Sequence, residues 1–470
     1  MTQLATEKES ARHAADVIIR RRNLDEIRKP VMPQTARTAW TITRRHRGRA
    51  FAAGVLALIA WVVHAPGAWA QPAADLDPAA PTGTGAVVAI GGALRFDNAA
   101  VWSRLVALAG GAGARFVVLG TASANPARSV ERVITALEAH GARAEHLPVA
   151  PRLPGIDLEQ AVRDPELIAR VRAARGVFFT GGAQERIVDT LQPGGDATPL
   201  LAAIRELLDR GGVVVGTSAG AAVMSQVMFR DAPDLLAAMK GTLRPGHEVD
   251  RGLGFAAPDL FVDQHFLRRG RLGRMLPLLH SQGIELGIGV EENSAAILRG
   301  RELEVLGNGG ALVVDLAAAR SDPDLGAFNV TGVRLTYLGD GDRMHLDTRA
   351  VVPSVAKRQG SRIDPRAKDF EPSLEGTPFL LDVLGDGAVL LAMQHVLDGP
   401  RPELLGLAFD ARPEAQAPRE LGFEFRFYRG PDTAGWFTSA FGDEAYTVEN
   451  VRLDVRPVHV AQPLYRGWQP

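Results

Sequence analysis

Four short apolar runs, each halted by glycine, limit this chain to a small set of folds. They are 86–90 before Gly91-Gly92, 115–119 before Gly120, 176–180 before Gly181-Gly182, and 212–215 before Gly216. A fifth strand is expected at 144–149. Helical spacing fills the intervals at 99–109, 130–140, 167–174 and 199–210. Unbroken apolar strands alternating with helices predict an α/β fold, a parallel sheet covered on both faces in three layers. Ligands of such sheets sit at the carboxyl ends of the strands, where these glycines cluster.

The last of these ends carries Gly216-Thr217-Ser218-Ala219-Gly220. Gly-x-Ser-x-Gly is the pattern of a nucleophile elbow, which holds a serine hydroxyl above a sheet edge. The segment 221–229 is helix-compatible. A glycine turn whose serine merely caps that helix is the plainer alternative. The chain has no cysteine, which removes disulfides, thiolate metal sites and a cysteine nucleophile. Ser218 is thus the candidate nucleophile, and neither metal nor cofactor is expected.

Charge divides the chain. Residues 1–70 hold 12 basic and 5 acidic side chains, and residues 71–470 hold 41 and 49. The mildly acidic body carries no nucleic-acid footprint. Within 1–70, Arg44-Arg45-His46-Arg47 precedes an apolar run at 51–63 and the small residues Ala68-Trp69-Ala70. That order predicts a signal peptide cleaved near 70/71, hence an exported protein, periplasmic or extracellular. An uncleaved leader would be its only tie to a membrane. Translation from Met32 would give a leader of ordinary length, with 1–31 a gene-model extension. Residues 71–84 read as a linker and 85–352 as the main domain. Residues 353–470 read as a β-rich C-terminal extension.

A serine nucleophile needs a base, and the base an orienting acid. His265, in Asp263-Gln264-His265-Phe266, and Glu292, after 287–290, both stand in strand-end segments. Serine, histidine and acid then follow in that order. His395 or His459 would give the order serine, acid, histidine, but neither lies in a glycine-rich strand end. Arg268, Arg269, Arg271 and Arg274 crowd the candidate base, which calls for a carboxylate-bearing substrate to balance them. The N–H groups of Ala219 and of the 181–182 turn are candidates for an oxyanion hole.

Together, Thr180-Gly181-Gly182-Ala183-Gln184, Gly216–Ala221, Asp263–Phe266 with the arginines, and Gly287–Glu292 resemble the cyanophycinases. These are serine peptidases related to aspartyl dipeptidases of the peptidase E type. The resemblance covers about 85–352. It implies a flavodoxin-like or class I glutamine amidotransferase-like fold, often dimeric, with Ser218, His265 and Glu292 as catalytic residues. For the oxyanion, Ala219 and Gly182 are the expected donors. The resemblance maps Gln184, Asp263, Gln264, Arg269, Arg271 and Arg274 onto the substrate pocket, with Asp263 free to receive a substrate guanidinium. The implied substrate is cyanophycin, a poly-aspartate with arginine on each side-chain carboxylate, and the products are β-Asp-Arg dipeptides. Ala183 departs from the acidic residue common in the family, and Glu292 is preferred over Glu291 as the acid. A dipeptidase for isoaspartyl or Asp-X substrates and an inactive binding protein of the same fold stand as alternatives.

Overall fold

Asn125-Pro126, Asp164-Pro165 and Thr198-Pro199 each start a helix in the same way. The first side chain accepts a backbone N–H of the opening turn, and proline supplies a preset φ at a position with no intrahelical bond to lose. In this computed structural model, these starts alternate with the expected strands. Residues 85–470 are described, apart from 232–233, 377, 411, 413–417, 441, 443, 462, 465–466 and 469–470. The expected leader and linker lie outside the described residues.

In chain order the first half runs β1 (Ala86–Ile90), α1 (Ala99–Leu108), β2 (Arg115–Leu119), α2 (Pro126–Ala139), β3 (Arg143–Leu147), α3 (Leu158–Ala161), α4 (Pro165–Ala173), β4 (Gly176–Phe179), α5 (Gln184–Leu191), α6 (Pro199–Asp209) and β5 (Val213–Thr217). The five strands are parallel, in the order β1-β5-β4-β2-β3. Alternate residues serve opposite cores. Val88, Val118, Phe178 and Val215 pack on one side, and Val87, Val117, Phe179 and Val214 on the other. This is the expected doubly covered α/β sheet.

After β5 come α7 (Ala219–Ala222), β6 (Val227–Phe229), α8 (Leu235–Met239), β7 (Val249–Arg251), β8 (Leu260–Gln264), α9 (Leu272–Gln282), β9 (Leu286–Val290), β10 (Ser294–Arg299), β11 (Glu302–Gly307) and β12 (Ala311–Asp315). The remainder is β13 (Val330–Leu338), β14 (Arg343–His345), β15 (Val351–Val352), α10 (Val355–Gln359), β16 (Ser361–Ile363), α11 (Ala388–Asp398), β17 (Glu403–Ala408), β18 (Leu421–Thr438) and β19 (Ala445–His459). The helix read over 221–229 stops at Ala222. Residues 227–229 instead pair with β7, a tertiary contact that overrides local helix compatibility.

The first sheet is mixed rather than wholly parallel: β10, β11, β14 and β15 continue it antiparallel beyond β1. A second sheet of 8 strands runs β16-β18-β19-β13-β12-β9-β8, with β17 on β18. Its Val262, Ile288 and Val313 join the core beneath the first sheet, while Phe261, Leu312, Phe423 and Phe425 form a further core with α9 and α11. The division expected at 352/353 therefore runs through shared structure, because β16, β18 and β19 complete the sheet that β8 and β9 begin. All described residues belong to one compact unit.

Candidate active site

Strand β5 is buried from Val213 to Gly216, and the chain turns sharply at its end. Ser218 sits there at φ 54°, ψ −111°, a costly conformation for a residue with a Cβ. The surroundings impose it. Its N–H donates to the Ile90 carbonyl at 2.9 Å, and its own carbonyl accepts the N–H groups of Ala221 and Ala222. Gly216 and Gly220 are required by close approach rather than by φ. A Cβ on Gly216 would lie 2.1 Å from the Gly220 oxygen, and one on Gly220 2.5 Å from the Phe179 oxygen. The serine is therefore the apex of a strained turn and makes no side-chain cap to α7.

His265 follows β8 directly, and Glu292 lies two residues beyond β9. Ser218 Oγ is 2.8 Å from His265 Nε2, and His265 Nδ1 is 2.6 Å from Glu292 Oε1. A carboxylate at Nδ1 holds the proton there, so Nε2 accepts the serine hydroxyl proton. His265 takes φ 48°, and its N–H donates to Gly91 O at 2.8 Å. Gly92 leaves room for the ring: a Cβ there would stand 2.2 Å from His265 Cε1. Burial lowers the imidazole pKa, and the Arg269 and Arg271 charges push the same way against the Glu292 carboxylate. His265 is thus held below the ordinary histidine range.

Two adjacent glutamates lie past the end of β9. Glu292 faces the imidazole, with its other oxygen 3.6 Å from Arg268 Nε. Glu291 turns the opposite way and accepts backbone N–H groups. Ala219 follows Ser218 in the chain, and Gly182 follows Gly181. A Cβ on neighbouring Gly181 would lie 3.1 Å from Ser218 Cβ and 3.6 Å from Oγ, so this turn passes beside the serine.

The expected substrate pocket is only partly realised. Asp263 and Arg274 are buried against each other, with contacts of 2.6 and 2.8 Å, and Arg271 adds a third at 3.2 Å. Burial would raise the Asp263 pKa, but the Arg274 and Arg271 charges hold it below the usual carboxylate range. Asp263 is therefore already paired and cannot be the open receptor for a substrate guanidinium. Arg274, with its guanidinium 4.2 Å above the Phe229 ring, is a core cation rather than a pocket wall. Arg271 also donates to the Gln264 carbonyl at 2.7 Å. Arg268 and Arg269 are the exposed members of the cluster. The Gln184 amide is spent on the carbonyls of Phe229 and Arg230, at 2.8 and 3.2 Å. Gln264 is buried, with its side-chain oxygen unpartnered.

Two residues that shape the site were not singled out from sequence. Gly92 was visible as a strand-end glycine, without its role beside the imidazole. Asn293, at φ 57°, ties the acid's strand end to the loop after β1: its N–H donates to Gly92 O, and its side-chain oxygen accepts from Arg95 N and Asn98 Nδ2. Asparagine next to the acid was the available signal, since it tolerates positive φ.

One family pattern spans Ser218, His265 and Glu292. The pattern of Peptidase family S51 matches residues 87–306. The chain is 33% identical over 280 residues to a cyanophycinase of Trichormus variabilis, covering 57% of this chain and 88% of that one. It is 31% identical over 284 residues to a cyanophycinase of Geminocystis herdmanii, covering 58% and 97%. Among solved structures, a peptidase from an acI-B1 Actinobacterium aligns at 23% identity and TM-score 0.39, covering 49% of this chain and 90% of that one. With most of the length of its relatives spanned, the chain belongs to peptidase family S51 and is a serine-type peptidase.

Proposed function

We propose that this peptidase hydrolyses cyanophycin from its chain ends to β-Asp-Arg dipeptides through an acyl-enzyme on Ser218. His265 Nε2 takes the hydroxyl proton as Ser218 Oγ bonds to the scissile carbonyl carbon. The N–H groups of Ala219 and Gly182 receive the developing oxyanion. Collapse breaks the C–N bond, and the imidazolium returns its proton to the leaving amine. Water then repeats the sequence and releases the acid, with Glu292 holding the imidazole throughout.

The observation that carries this reading is the hydrogen-bonded line Ser218–His265–Glu292 beside exposed guanidinium. Arg271 and Arg274 pair with Asp263 and Arg268 approaches Glu292, while Arg269 stands exposed beside them. Each β-Asp-Arg unit of the polymer carries the free α-carboxylate of its arginine, which would complete that balance, with Arg269 the contact and Arg271 behind it. The relatives' name, cyanophycinase, supports the same substrate. The reading also takes the chain as an exported homodimer, on the strength of the leader pattern in 44–70 and of the family resemblance.

Incubation with insoluble cyanophycin tests the substrate. Clearing with release of β-Asp-Arg, identified by mass, is the expected result. Cleavage of isoaspartyl or Asp-X dipeptides with the polymer left intact would replace it with the dipeptidase reading.

A further inference from the structure

Glu291 is largely buried, and its carboxylate makes three contacts, all to backbone N–H groups. Oε2 accepts from Leu267 at 2.5 Å and Arg268 at 2.9 Å, and Oε1 accepts from Glu292 at 2.7 Å. The first two donors lie just after the candidate base, and the third belongs to the residue that carries the candidate acid. One carboxylate thus ties the turn holding His265 to the strand end holding Glu292. We propose that Glu291 is a positioning residue that sets the distance between the imidazole and the Glu292 carboxylate. This rests on the reading of Ser218, His265 and Glu292 as the catalytic residues.

The need for such a tie follows from the backbone. His265 holds φ 48°, which an L residue leaves unless its surroundings restrain it. On the N-terminal side the restraint is its N–H bond to Gly91. On the C-terminal side two consecutive N–H groups bond to Glu291. The glutamate is itself seated. Its N–H donates to Gly310 O at 3.1 Å, and a Cβ on Gly309 would come within 2.8 Å of its Cγ. Ser294 Oγ accepts the N–H groups of Gly309 and Gly310, and Tyr337 donates to the Gly309 carbonyl. The acid and its positioning partner are adjacent in sequence because successive residues past a strand end project to opposite sides.

Glu291→Gln in the full chain tests this, since it keeps the shape but sets an amide NH2 against at least one N–H donor. Three readouts are needed: kcat and KM on cyanophycin, the rate at which a small fluorophosphonate modifies Ser218, and the downfield proton resonance of His265 Nδ1–H. We expect kcat and the modification rate to fall about 10- to 100-fold, as for small misplacements of catalytic groups. KM should stay within about two-fold, and the imidazole proton should broaden or shift. Rates within about two-fold of wild type would overturn the proposal. So would lost activity with an unshifted imidazole proton and a collapsed melting temperature, which would mark a role in folding only. If wild type leaves cyanophycin intact, the substrate reading fails, while the fluorophosphonate rate and the proton resonance still judge Glu291.

Discussion

At the scale of single residues, the proposed mechanism makes the imidazole of His265 set the pH behaviour. Burial, Arg269 and Arg271 hold it below the ordinary range, near 6.5, and it serves as base only when neutral. The acid limb of kcat/KM should therefore lie below about 6.5. Arg269→Ala removes a cation and so favours the imidazolium. We expect its acid limb to move upward and its KM to rise, measured as a kcat/KM profile across pH; an unmoved limb would contradict the arrangement. Gly92→Ala places a methyl group 2.2 Å from the ring at φ 107°. It should cost about 100-fold in kcat by displacing the imidazole, checked by steady-state kinetics. The hydrogen-bonded line of Ser218, His265 and Glu292 was legible because each stands just past the end of a strand. Asp263 and Arg274 were misread as pocket residues, because eleven positions of sequence do not reveal that two side chains seal each other in the core.

Elements were legible where local chemistry and packing agree. The strands β1, β2, β4 and β5 are continuous apolar runs, and the helices between them carry their own caps. The helix read over 221–229 was not, because the partner that claims Val227–Phe229 lies twenty residues on at β7. One cap is missing. Ala183 stands at the N-cap of α5 in extended conformation and makes no side-chain bond. Ala183→Asp should accept a first-turn N–H and raise stability by about 1 kcal/mol, read by denaturant melts. An unchanged midpoint would show that the turn preceding Gln184 does not admit the cap.

The whole molecule depends on pairings the sequence conceals. Val333 faces Leu453, and Tyr337 faces Val448, across more than a hundred residues, so a tail that looked appended completes the sheet that holds β8 and β9. Lys357 and Asp342 fasten the two. Both are fully buried with 2.7 Å between charges, and Thr447 of β19 bonds the same carboxylate. Lys357→Ala should cost about 3 kcal/mol by leaving a buried charge short of its partner, and a thermal melt would show the loss. If the tail were an independent appendage, the catalytic half would melt unchanged. The account as a whole turns on Ser218, and the most direct test is the rate of dipeptide release from cyanophycin by wild type and Ser218→Ala side by side. We expect wild type to release β-Asp-Arg and the variant to lose at least about 1,000-fold in kcat; release by Ser218→Ala at the wild-type rate would contradict it.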